Sequence, residues 1–139
     1  MELQRLQEVV EAYHYDIRQP IPEHENLQTS INVEMTPISN YEEKPEGSSA
    51  IQARVRFQMA FSEFLISGFV SQINFILNRE VKEQSDVSNE EVHEIVQPLF
   101  DLIKRLTYEV TEIALDRPGL ELNFGAQMTP PPVDEKEEV

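Results

Sequence analysis

The chain contains no cysteine. Disulfides, thiolate zinc sites and cysteine nucleophiles are therefore excluded. Basic residues are scarce: 11 Lys and Arg stand against 26 Asp and Glu, giving a formal charge of −15. Nucleic acid and anionic lipid both demand clustered cations, so neither is an expected partner. The surplus of acid reads either as a solubilising surface or as one that docks on a basic protein. No apolar run approaches the roughly 18 residues of a membrane span. The opening stretch, MELQRLQEVVEAYHYD, has neither the basic nor the apolar region of a signal peptide. The expected location is the cytoplasm.

Catalytic signatures are missing as well. His14, His24 and His93 are far apart, and Gln97 stands where an HExxH motif beginning at His93 would need its second histidine. There is no GxGxxG, no GKS or GKT and no GxSxG. Ser62, Ser67 and Ser71 have no histidine base at an identifiable spacing. No catalytic residue, metal site or cofactor is expected. The paired carboxylates, such as Glu42-Glu43 and Glu90-Glu91, read as solvated side chains.

What is present is a change of hydrophobic rhythm. From Ile51 to Phe61 every second residue is apolar, whereas from Val92 to Ala114 the spacing is three or four. The first pattern puts alternate side chains on opposite faces of a strand; the second makes a helical stripe. Strands followed by one long helix give an α+β fold, a four-stranded antiparallel sheet packed by a C-terminal helix.

The strands are expected at about 8–17, 31–36, 50–61 and 64–77, with Pro37 ending the second or putting it at an edge. The first is ambiguous. Leu3, Leu6, Val10 and Tyr13 fit a helix, while Tyr13, Tyr15 and Ile17 alternate as in a strand, and the tyrosines favour the strand. Residues 18–22 (RQPIP) break regular structure, and 40–49 (NYEEKPEGSS) form an exposed loop. In the fourth strand the apolar set shifts from even positions (Phe64, Ile66, Val70) to odd ones (Ile73, Phe75, Leu77). Either a β-bulge near Ser71-Gln72 keeps both sets on one face, or both faces are covered. A tight turn at Ser62-Glu63 would set Gly68 opposite Phe57, leaving room for that ring.

Ser88 and Glu91 form a capping box, with Val87 and Val92 as its hydrophobic staple, so the helix begins there. Its buried stripe is expected at Val92, Ile95, Val96, Leu99, Leu102, Ile103, Leu106, Val110, Ile113 and Ala114. Pro98 removes the backbone bond to residue 94 and kinks or divides the helix. The sequence Asp116-Arg-Pro-Gly119 ends it, and 120–124 is a short extended segment. Residues 1–125 are expected to make one domain, and 126–139, proline-rich and then acidic, a disordered tail.

Two features outside the core carry functional weight. Arg54 and Arg56 share the polar face of the third strand; Glu34 comes opposite one of them if strands two and three pair. The pair reads as sheet register, or else as a ligand site. The apolar load of the fourth strand exceeds what one helix can cover. Leu65, Phe69, Ile73 and Phe75 are therefore the candidate apolar interface or peptide-binding residues.

Four strands, a helix with Pro98 near its start, then Pro118-Gly-Leu120-Glu-Leu122 and Asn123-Phe124, resemble the bacterial export chaperone family SecB. His14-Tyr-Asp16 and Val70-Ser-Gln72, in the same order, are similar to an uncharacterised family of small bacterial proteins grouped with the SecB-like fold. The resemblance covers roughly residues 8–125. It implies a SecB-like fold, subunits pairing sheet edge to sheet edge, and binding of unfolded polypeptide. SecB also docks on the export motor through an acidic surface. The chain departs from SecB after Phe124, where PPPVDEKEEV replaces a further apolar helix that borders the client groove.

The expected function is non-enzymatic: a chaperone-like or adaptor protein binding apolar polypeptide segments. The alternative is an assembly module with one specific partner. The expected partners are protein or unfolded polypeptide and further copies of the chain, as a dimer or a dimer of dimers.

Overall fold

A computed structural model describes residues 1–17, 29–61 and 63–122. Four strands, β1 (Leu3–Ile17), β2 (Ser30–Ile38), β3 (Ser49–Ala60) and β4 (Phe64–Ile76), precede a single 3₁₀ turn (Gln84–Asp86) and the helix α1 (Asn89–Leu115). The strands form one antiparallel sheet in the order β1-β4-β3-β2. The α+β architecture inferred from the rhythm is the one observed. The breaker at 18–22 and the tail at 126–139 lie outside the described residues.

Pairing fixes which side chains share a face. Phe57 of β3 stands opposite Gly68 of β4 and Ile31 of β2, so the odd residues of β3 and the even residues of β4 face α1. Ile51, Ala53, Val55, Phe57, Ile66, Val70 and Ile76 are buried there against Ile95, Val96, Leu99 and Ile103. Each large side chain fully buried in this way contributes roughly 1.5–3 kcal/mol.

The β3–β4 ladder runs from Ser49↔Ile76 to Ala60↔Leu65 with no slip. The bulge anticipated at Ser71-Gln72 is therefore absent. The irregularities sit in β1 instead, one between Arg5 and Glu8 and one between Val10 and Ala12. Each adds one residue, so the apolar positions of β1 fall three or four apart and mimic a helix. For the same reason the strand begins at Leu3 rather than at residue 8.

Each bulge meets a matching residue on β4. Gln72, buried on the helix face, donates from Nε2 to the Leu6 carbonyl at the first bulge (2.8 Å). At the second, a Cβ on Gly68 would lie 2.1 Å from the Ala12 carbonyl oxygen. Gly68 thus makes room for the β1 backbone rather than for the Phe57 ring. Asn74, fully buried on the same face, accounts for the rest of the apparent phase change in β4.

The helix starts where the capping box places it. Ser88 Oγ accepts from the Glu91 amide (3.2 Å), and Glu91 Oε1 accepts from the Ser88 amide (3.0 Å). α1 runs unbroken through Pro98, so the proline does not divide it. Pro98 has no amide to offer the Glu94 carbonyl. Arg5 supplies the missing donor, its Nη2 lying 2.7 Å from that oxygen and its Nη1 3.0 Å from the Ile95 carbonyl.

Beyond Ile103 the buried stripe continues through Thr107 and Thr111, not through Leu106, Val110 and Ile113; Phe100 joins it as well. The threonines are buried because they have partners. Tyr13 Oη is 3.0 Å from Thr107 Oγ1, and burial raises the Tyr13 phenol above its ordinary range. Thr111 Oγ1 donates to the Thr107 carbonyl (2.7 Å) and accepts from the Leu120 amide (2.8 Å). That last bond folds the chain back along α1 after the left-handed turn at Asp116, and Leu122 enters the core. Ile113 is left 76% exposed.

Candidate functional site

α1 covers one side of the sheet, and among the described residues no helix covers the other. The odd residues of β4 and the even residues of β3 build this open face. The register sets Arg54 beside Ser71 and Glu34, and Arg56 beside Phe69 and Asn32. The next row is His14, Ser67, Gln58 and Ser30.

All four apolar candidates lie on this face, yet in different surroundings. Leu65, Phe69 and Ile73 are half-buried, with Ser67 and Ser71 between them. Phe75 is only 3% exposed, because Tyr41 from the 39–48 connection packs edge-on against it, with ring centroids 5.5 Å apart. Phe69 carries two guanidinium groups: Arg54 lies 4.3 Å and Arg56 5.5 Å from its ring centroid. Exposed cation–π contacts of this kind contribute about 0.5–1 kcal/mol each.

Arg54 does stand opposite Glu34, as the pairing of strands two and three demands. Its ion pair is made elsewhere, with Glu11 at 3.2 Å, across β4. Glu11 is the extra residue of the second β1 bulge, so its place on this face depends on a slip that the sequence does not announce. The adjacent Val9-Val10, out of step with alternation, is the one local sign of it.

Two further surfaces adjoin the sheet. β1 is an edge strand that leaves Val9 46% and Val10 42% exposed. Along the second half of α1, a groove of about 870 Å³ is lined by Leu102, Leu106, Tyr108 and Leu122, with Arg105 and Glu109 among its polar residues. Gly119 lets the returning chain press on Tyr108, since a Cβ there would lie 2.4 Å from the Tyr108 carbonyl oxygen.

Apart from Tyr13 on the helix-facing side of β1, the displaced ionisations among the described residues gather around the helix start, not on the open face. Arg79 beside it, and then the Ser88 amide, hold the Glu91 carboxyl at about 2. The Asp86 carboxyl is lowered by the backbone amides of Lys82 and Glu83. Desolvation lowers His93 against the opposing pull of Glu90. Among the described residues no three His, Asp or Glu side chains gather as a metal site, and no helix is long and apolar enough to cross a membrane.

A family model described as "Protein of unknown function (DUF1149)" matches residues 1–124. No curated protein matches the chain. The crystal structure of a protein of unknown function from Streptococcus agalactiae is 41% identical, covering 89% of this chain and 98% of that one, with a TM-score of 0.80. The SecB-like chaperone Rv1957 of Mycobacterium tuberculosis, solved in complex with a ChAD peptide from the Rv1956 HigA1 antitoxin, is 10% identical. It covers 87% of this chain and 89% of that one with a TM-score of 0.50. At that identity the likeness is one of fold, and it gives the SecB-like fold to this architecture.

Proposed function

The chain belongs to this DUF1149 family, and on that premise we propose that it is a non-enzymatic, chaperone-like or adaptor protein that binds apolar segments of other polypeptides. The observation that carries the reading is the uncovered face of the sheet. Leu65, Phe69 and Ile73 stand there along one strand with no helix above them among the described residues. An extended segment laid across the face over β4, an interior strand, would bury part of each through side-chain contact. The fold-mate from Mycobacterium tuberculosis, solved with a peptide, supports the same use of the fold.

The test is titration of a fluorescent apolar peptide, followed by anisotropy, together with suppression of aggregation of a denatured protein. Leu65→Ser with Ile73→Ser should weaken both activities while the helical circular dichroism is retained. Undiminished binding by that double variant would remove this face from the proposal.

The second reading, an assembly module, is favoured by β1. Val9 and Val10 on an open edge fit a second copy whose β1 pairs antiparallel with the first. Such a pair would leave the open faces of the two sheets side by side.

A further inference from the structure

Resting on the polypeptide-binding reading of the open face, we propose that this face holds a carboxylate subsite centred on Arg56, so that the segments it takes are apolar ones interrupted by Asp or Glu. Arg54 and Arg56 lie two residues apart on β3 and share the ring of Phe69. Their circumstances differ. Arg54 is neutralised by Glu11 at 3.2 Å and has Glu34 across the ladder. Arg56 is exposed, stands across from Asn32, and has no carboxylate within ion-pair distance among the described residues.

Next to Arg56 is a shallow concavity of about 250 Å³. His14, Ser30, Gln58, Ser67 and Phe69 line it together with Phe57 and Gly68, and among the described residues no acidic side chain does. Among the described residues the acids of this face stay outside it: Glu11 and Glu34 flank Arg54, and Asp16 lies beyond His14 in the row of Leu65. In a chain with 26 acidic and 11 basic residues, a concavity lined by a guanidinium, hydroxyls, an amide and an imidazole is a local reversal of sign.

The Phe69 ring limits how far the guanidinium can swing, so less side-chain entropy is lost when an anion is bound. The two serine hydroxyls can donate to the same anion. The volume suits one acidic side chain rather than a stretch of chain. Phe69 lies between this subsite and Ile73, so a bound strand would set its acidic residue a few positions from its apolar anchor.

The experiment compares end-blocked, fluorescein-labelled 12-residue Leu/Phe-rich peptides that carry a single Glu at different positions, each with its Gln counterpart. With wild-type protein, at least one Glu peptide should bind about tenfold more tightly than its counterpart, the effect of one charge-assisted hydrogen-bonded pair. Arg56→Gln should bring the two affinities together, and Arg56→Lys should restore part of the difference. Equal affinities for every Glu and Gln pair would overturn the carboxylate subsite and leave polypeptide binding standing. A difference that survives Arg56→Gln would overturn it too. Failure of all the peptides to bind would overturn both.

Discussion

Arg5 of the first strand donates to the carbonyl of Glu94, the one helical acceptor that Pro98 deprives of its amide. A proline that removes one bond from α1 thereby provides a point of attachment between helix and sheet edge. Arg5→Met should cost about 1–2 kcal/mol, as for a lost hydrogen bond to a charged donor at a partly exposed site. With Pro98→Ala the amide returns to Glu94, and the cost of Arg5→Met should shrink. Urea denaturation of the four proteins of this double-mutant cycle gives the coupling; additive effects would contradict the link.

Acid should act on the start of the helix. The Glu91 carboxyl sits at about 2 in the folded protein, against an ordinary 4.5, foremost because of Arg79. Above pH 4.5 it is charged whether the chain is folded or not, and its stabilising effect is complete. As the pH falls from 4.5 towards 2 the unfolded chain takes up a proton that the folded one refuses, so stability drops with pH. Glu91→Gln should start from a lower plateau and show a shallower fall in this window. Urea midpoints measured across it, parallel for the two proteins, would contradict the assignment.

Two glycines should respond differently to the same methyl group. Gly68→Ala places a Cβ against the Ala12 carbonyl, which belongs to a bulged strand that cannot retreat without losing pairs. The cost should be at least about 2 kcal/mol, with loss of β1 pairing. Gly47 has a φ of 79° but nothing within 4 Å of the added atom. Gly47→Ala should cost about 1–2 kcal/mol, the conformational penalty alone. Thermal denaturation ranks the two; the opposite order would mean that the bulged strand yields to the added methyl at Gly68.

These bulges also explain what could be read from the sequence. The alternation of β3, the Phe57–Gly68 register and the Ser88–Glu91 cap rest on neighbours in the chain and were legible. That Leu65, Phe69, Ile73 and Phe75 share one strand face was left open, since the bulge considered at Ser71-Gln72 would have turned Ile73 and Phe75 to the other face; the unslipped β3–β4 ladder puts all four together. The upstream extent of β1 was hidden, since its extra residues turn a period of two into a spacing of three. Gln72 and Asn74 looked like a change of phase, although their partner is the backbone of β1 or their own strand. Thr107 and Thr111 are polar by residue type and buried by their bonds to Tyr13 and Leu120. The Tyr41 cover over Phe75 comes from a loop that carries no periodicity at all.

If β1 is the assembly edge, charge placed on it should separate the copies. Sedimentation at micromolar concentration should show the unaltered protein as a dimer or larger, and Val9→Lys with Val10→Lys as a species of one chain's mass. Lysines on an edge strand oppose further pairing while leaving the existing ladder intact. A single-chain species for the unaltered protein would end the proposal.

The bond from Arg5 to the helix spans 89 residues of sequence. β2, β3 and β4 are successive hairpin partners, and their contacts close short loops. β1 pairs with β4 and can do so only after everything between them has been made. Contacts that close long loops tend to form late. β1, made before its partner strand, is thus placed last, and during that interval β4 itself carries the open edge. Arg5→Met should accordingly speed unfolding and leave the folding rate nearly unchanged in stopped-flow chevrons, because the lost bond belongs to the far side of the barrier. A slowed folding arm would mean that β1 and α1 meet early. In the expected case the edge strand is a latch: the three-stranded hairpin stack and its helix come together first, and the first seventeen residues close over them.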